Sequence, residues 1–175
     1  RSHGVLLPNN VKAGAFGDLS CFSFYYAHHM STIEGGMICT NNQTYYQILR
    51  MLRSHGMLRE SNNENLKNEI IKKYPDLNPK FIFTRPAFNV RNNEIGAIIG
   101  KCQLKRLNSI ISKRAENFLR FLSLAPDWIY KDFFLDGQSN YAFNIILKEP
   151  NKVLFKKLCN VFDENRIEYR VGSAG

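Results

Sequence analysis

Ser23-Phe24-Tyr25-Tyr26-Ala27-His28-His29-Met30-Ser31-Thr32-Ile33-Glu34-Gly35-Gly36 is the stretch on which the reading of this chain turns. Leu19 to Tyr26 is short, aromatic and apolar, which predicts a buried strand. Glu34-Gly35-Gly36 turns the chain into Met37-Ile38-Cys39-Thr40, a second short apolar strand. Between the two lies a loop with adjacent histidines. In α/β sheets ligands gather where strands end, and the loops there carry the reacting groups. Imidazole titrates near neutral pH, so a histidine pair suits proton transfer or metal binding. Adjacent side chains point apart on most backbones, and no third ligand stands at useful spacing, which disfavours a metal site. On the residues alone, a functional pair and a satisfied structural pair both remain open.

Outward from this loop the pattern is mixed α/β. Asn41 or Asn42 is placed to cap a helix with Tyr45, Ile48, Leu49 and Leu52 on its buried face, and Gly56 is a plausible stop. One short helix is expected around Asn65 to Lys73. The strongest helical signal begins at Asn92 or Asn93, where Ile95, Ile98, Ile99, Cys102, Leu104 and Leu107 form a stripe read as core packing. A second helical run covers Ile110 to Leu124 and stops before Pro126. Tyr141 to Leu147 reads as a strand, Lys152 to Asn165 as a helix and Glu168 to Val171 as the start of another strand. That ending suggests a small α/β lobe.

At 175 residues and 44% hydrophobic, the chain is large enough to bury a core. No stretch approaches the roughly 20 apolar residues that span a bilayer, so no membrane segment is expected. Cys21, Cys39, Cys102 and Cys159 are widely spaced, which argues against a disulfide framework and for a reducing, cytoplasmic setting. The net charge of +9 is scattered rather than gathered into a basic arm, so a solvated surface is preferred to a nucleic-acid footprint. Opening on Arg1 and stopping in the turn-like Val171-Gly172-Ser173-Ala174-Gly175, the sequence reads as a fragment.

Three ordered blocks resemble the DegT/DnrJ/EryC1/StrS family of pyridoxal-phosphate-dependent sugar aminotransferases. Gly17-Asp18-Leu19-Ser20, Ser23-Phe24-Tyr25, Ser31-Thr32 and Glu34-Gly35-Gly36 match its active-site stretch. Leu52-Arg53-Ser54-His55-Gly56 is similar to its Leu-Arg-x-His-Gly block, and Phe88-Asn89-Val90-Arg91 with Glu94 to Tyr-Asn-x-Arg and the helix after it. The resemblance implies an α/β fold of the aspartate aminotransferase type, fold type I. Residues 1–108 would be the C-terminal part of the large cofactor-binding domain, and 109–175 the linking helix and truncated small α/β domain. It also implies a homodimer with a shared active site.

One departure is decisive: His28 falls where the family carries its catalytic lysine, and His29 where asparagine is usual. An imidazole has no amine with which to hold the cofactor aldehyde covalently. A histidine here resembles the sugar 3-dehydratase branch, nearest the enzymes of GDP-linked 4-keto-6-deoxymannose. An iron–sulfur branch acting on CDP-sugars also bears histidine, but residues 54–101 contain no cysteine for its cluster. The resemblance therefore implies loss of the 3-hydroxyl from a nucleotide-diphosphate 4-keto-6-deoxy sugar, as in lipopolysaccharide O-antigen synthesis. Glutamate would convert pyridoxal 5'-phosphate to pyridoxamine 5'-phosphate, and His28 would be the catalytic base. Ser23 and Asn89 match residues that reach the cofactor phosphate. Ser2 matches the tail of an upstream cofactor-binding block, and Arg1 falls where a ring-contacting side chain sits. His29, His55 and Arg170 are candidates for substrate contact. Two alternatives stand beside this: an ordinary sugar aminotransferase that lost lysine, and a catalytically dead dimeric homologue.

Overall fold

The computed structural model describes residues 11–172. Both helices and strands are present. Strand β1 (Ser20–Ser23) pairs antiparallel with β2 (Gly36–Cys39), in a register that sets Ser20 against Cys39 and Ser23 against Gly36. β1 is shorter than the apolar run suggested, β2 has the expected length shifted by one residue, and the ribbon is half-buried at most. Among the described residues no further strand joins it.

Helix α1 (Gln43–Leu52) starts at Asn42, whose side-chain oxygen accepts the Tyr45 N–H at 3.1 Å. That satisfies one of the amides a helix start leaves unpaired. Helix α2 (Glu64–Lys73) is capped in the same way by Asn63, which accepts the Leu66 N–H at 3.0 Å. Met51 from α1 meets Leu58 and Ile82 in a buried cluster that Leu66, Ile70 and Ile71 of α2 cover. Full burial of each such side chain is worth about 1.5–3 kcal/mol, which makes this cluster the anchor for the segments on either side of it.

Helix α3 (Glu94–Leu124) is one continuous helix of 31 residues, where two were expected. Nothing between Leu107 and Ile110 breaks it. The Ser109 and Ser112 hydroxyls fold back onto the Arg106 and Asn108 carbonyls at 2.7 and 3.1 Å, so these polar residues are tolerated within the helix. Its N-terminus is held by Asn93, which accepts the Gly96 N–H at 2.9 Å. The expected core stripe is corrected: Ile95, Ile98 and Leu104 are exposed. The covered face runs instead through Gly96, Ile99, Gly100, Gln103 and Leu107. Small residues on this face allow close approach, and Gly100 lies against the Thr32 methyl.

Helix α4 (Lys152–Glu164) stands where expected, capped by Asn151 through the Leu154 N–H at 2.9 Å. The flanking strands do not form. Tyr141 to Leu147 contributes one bridge, Ile129 with Leu147, supported by the Tyr130 N–H on the Ile146 carbonyl at 2.8 Å and the Lys148 N–H on the Trp128 carbonyl at 3.0 Å. Glu168 to Val171 is not a strand either; there Tyr169 packs its ring on Phe162 of α4. Among the described residues, neither segment has a neighbouring strand long enough to continue a ladder.

The chain divides into two compact units. One runs to Glu116 and also takes in Leu135–Tyr141; the other holds Asn117–Phe134 and the residues from Ala142 onward. The second is built on aromatic packing, with Phe118 stacked on Phe143 and edge-on to Phe133. No helix among the described residues is long and apolar enough to cross a membrane.

Candidate functional site

The histidine loop is closed at its neck by backbone pairing. Phe24 donates its N–H to the Gly35 carbonyl at 2.9 Å, and Thr32 donates to the Phe24 carbonyl at 2.8 Å. The Thr32 hydroxyl then donates to the Glu34 carbonyl at 2.7 Å. These bonds force sharp turns. Ile33 takes φ 73°, a left-handed conformation that a β-branched side chain resists. Gly35 sits at φ 140°, and a Cβ there would come within 2.8 Å of the Thr32 hydroxyl. Strain of this kind, about 1–3 kcal/mol per residue, persists where the surroundings over-determine the backbone. Here they do, because Phe24, Thr32 and Gly35 are tied together.

Within the loop the two histidines face different surroundings. His29 is buried, and its Nε2 lies 2.6 Å from the Ser139 hydroxyl, which is also buried. His28 is half-buried, with its ring 5.4 Å from that of Tyr141 and 6.3 Å from that of Tyr25. A short relay joins it to the strand end. The Ser23 hydroxyl accepts the Tyr25 N–H at 3.3 Å, and the Tyr25 carbonyl accepts the His28 N–H at 3.0 Å. Partial loss of hydration, followed by the neighbouring Tyr26, holds the Tyr25 hydroxyl above the ordinary tyrosine pKa.

A second group forms around the end of α1. Ser54 and Asn89 pair as an isolated antiparallel bridge, flanked by the His55 N–H on the Phe88 carbonyl at 2.8 Å and the Val90 N–H on the Arg53 carbonyl at 2.9 Å. His55 and Asn89 are thus brought onto neighbouring backbone, both exposed. His55 adopts φ 57° and lines an open depression of about 580 Å³ with Thr84 and Arg85. Arg91 donates from Nε to the buried Ser54 hydroxyl at 2.6 Å. Gly56 does not stop α1, which ends at Leu52; its N–H instead reaches back to the Met51 carbonyl at 2.8 Å. Arg170 lies in the other unit, exposed, 3.9 Å from Glu168. Arg1 and Ser2 lie outside the described residues.

Ser139, Tyr141 and Arg114 escaped the sequence reading. Arg114 of α3 donates from Nη1 toward the Asn140 and Tyr141 carbonyls at 3.2 and 3.4 Å, and so holds this segment in place. The available signal was the polar run Asp136-Gly137-Gln138-Ser139-Asn140 between aromatic stretches. Its separation of 110 residues from His29 gave no local cue to the contact.

The profile described as the DegT/DnrJ/EryC1/StrS aminotransferase family matches residues 2–171. A curated relative, GDP-4-keto-6-deoxy-D-mannose 3-dehydratase of Escherichia coli, is 37% identical over 166 residues, covering 93% of this chain and 42% of that protein. The chain thus spans well under half the length of the relative it matches. A solved structure, E. coli GDP-4-keto-6-deoxy-D-mannose-3-dehydratase with bound hydrated PLP, superposes with a TM-score of 0.74 at 31% identity, over 97% of this chain and 43% of that one. Another holds a GDP-4-keto-6-deoxymannose-3-dehydratase with a trapped PLP-glutamate geminal diamine. It superposes with a TM-score of 0.69 at 30% identity, over 97% of this chain and 44% of that one.

Proposed function

This chain belongs to the DegT/DnrJ/EryC1/StrS aminotransferase family, and from that premise we propose that the whole protein is a nucleotide-sugar 3-dehydratase. It would remove the 3-hydroxyl from a GDP-linked 4-keto-6-deoxy sugar, with glutamate as amino donor, in the cytoplasm. The observation that carries the reading is His28 in place of the family's lysine, half-buried on a strained loop joined to Ser23. The 37% identity to a 3-dehydratase supports it. On this reading the fold is the aspartate aminotransferase type, fold type I. Residues 1–108 belong to its large domain and 109–175 to its small one.

The donor set fits a phosphate-bearing pyridine cofactor held without a covalent bond. Ser23 offers a hydroxyl at a strand end and Asn89 an exposed amide, while the loop presents imidazole and no amine. Ser23 would hold the phosphate of pyridoxal or pyridoxamine phosphate in its own subunit. Asn89 would reach the phosphate across a homodimer interface, and Ser2 and Arg1 would contribute from the preceding segment. When bound, the cofactor supplies an electron sink adjacent to sugar carbon 4. His28 would take up the proton released from the cofactor's methylene carbon, since the 4-keto carbon bears none, and the imidazolium so formed would give it to the departing 3-hydroxyl. His29, His55 and Arg170 are assigned to loop shaping or substrate contact. A lysine would instead deliver its proton to carbon 4 and leave an amino sugar, so its absence favours dehydration.

The test is the full-length protein with pyridoxamine phosphate and GDP-4-keto-6-deoxymannose. Loss of the 3-hydroxyl together with ammonia is expected. A stable 4-amino sugar would make the protein an aminotransferase, and cofactor binding without any reaction would make it a dead homologue.

A further inference from the structure

A proton-transfer group must hold its ring in one orientation, because small displacements of a reacting atom are expensive in rate. The neck bonds at Phe24, Thr32 and Gly35 fix the base of the histidine loop, yet they do not by themselves orient side chains at its tip. Besides Tyr25 on the loop itself, two contacts from one distant segment bear on the tip. His29 is buried against Ser139 at 2.6 Å, which pins the backbone one peptide away from His28. The Tyr141 ring then lies 5.4 Å from the His28 ring at 46°, within the 4.5–7 Å range of interacting aromatic pairs. The Tyr25 ring stands on His28 at 6.3 Å and 68°. Arg114 grips the carbonyls of Asn140 and Tyr141, so the segment is tied to α3 rather than loosely laid across the loop.

We propose that Leu135–Tyr141 is a clamp on the histidine loop, and that Tyr141 is a positioning residue acting on His28 through its ring. The clamp explains why this short piece of chain leaves its sequence neighbours and joins the unit that carries His28. It also gives buried His29 a purpose: an anchor that lets its neighbour remain half-exposed without wandering. The proposal assigns the orienting role to the ring, whose centre lies 5.4 Å from that of His28. On that assignment the phenolic hydroxyl is expected to be dispensable. The inference rests on His28 being the base, and its test separates the two.

The experiment uses the full-length protein with isotopically labelled histidine rings. In Tyr141→Phe the ring-current shift of the His28 ring protons stays, and kcat stays within about twofold of native. In Tyr141→Leu that shift disappears and kcat falls by about tenfold or more, with KM little changed, as misorientation of a reacting group requires. Ser139→Ala moves the His29 resonances and broadens those of His28 while Tyr141 is intact. That variant keeps the question decidable even if the leucine variant folds poorly. An unmoved His28 signal in Tyr141→Leu overturns the clamp. So does a rise in KM at constant kcat, which would make Tyr141 a substrate contact, or equal damage from phenylalanine and leucine. A fully active His28→Asn would instead remove the proposed reaction and leave the ring-current result standing.

Discussion

His28 concentrates the functional argument in one side chain. Its neighbours on the loop are tied into the fold of the loop. Thr32 and Gly35 close the neck, Ile33 is bent into a left-handed turn, and His29 is buried on Ser139. His28 is the ring left at the edge of the loop between Tyr25 and Tyr141. Restoring the family's amine should therefore change the chemistry without rebuilding the site. For His28→Lys the full-length protein is expected to show a visible absorbance from covalently held cofactor, absent in the native protein, and to lose 3-hydroxyl elimination. An unchanged spectrum on cofactor addition would mean that residue 28 does not face the cofactor. At this scale the sequence was informative about identity and silent about surroundings. The position of His28 in a strand–loop–Gly-Gly pattern could be read directly. That one histidine would be buried and its neighbour half-exposed depends on Ser139 and Tyr141, which no local pattern places nearby.

At the scale of elements, helix positions were the legible part, and of the caps Asn42 and Asn93 were anticipated while Asn63 and Asn151 were not. Asn42, Asn63 and Asn151 each accept an amide at the start of their helix, and each helix begins within a residue or so of the expected place. Failures arose where burial, not local propensity, decides the outcome. The runs 141–147 and 168–171 are apolar enough for strands but have no ladder to join among the described residues. The junction near Asn108 looked like a break because two apolar stripes meet there, yet no glycine or proline enforces one. Ser109→Pro separates the two readings. In a continuous α3 it removes a helical hydrogen bond and should cost about 3 kcal/mol or more of stability by denaturant unfolding. Near-native stability would mean that two helices meet at that point. Gly56 makes a similar point for the turn after α1. It sits at φ 73°, and a Cβ there would run into the Arg85 carbonyl oxygen. Left-handed backbone alone costs alanine about 1–2 kcal/mol, so Gly56→Ala should lower stability by more than that. A neutral result would show that the turn adjusts freely and that the His55–Asn89 group is not rigidly held.

Across the whole molecule, the arrangement depends on long-range returns of the chain. The segment 135–141 rejoins the unit formed by the first two-thirds of the sequence, although residues on both sides of it belong to the other unit. A reading by composition and periodicity divides a chain at points along its length, so it has no means of seeing such a return. The family resemblance carried more at this scale, because three ordered motif blocks specify an architecture that single elements do not. The central claim remains chemical: a histidine in the lysine position turns amine transfer into dehydration. Its most direct measurement is ammonia release by the native protein and His28→Asn, side by side, with pyridoxamine phosphate and GDP-4-keto-6-deoxymannose. The native protein should release ammonia with loss of the 3-hydroxyl. The asparagine variant should bind the cofactor comparably yet turn over about 10²-fold to 10⁴-fold more slowly, the range expected for removing a general acid–base group. Equal rates in the two proteins would contradict the account.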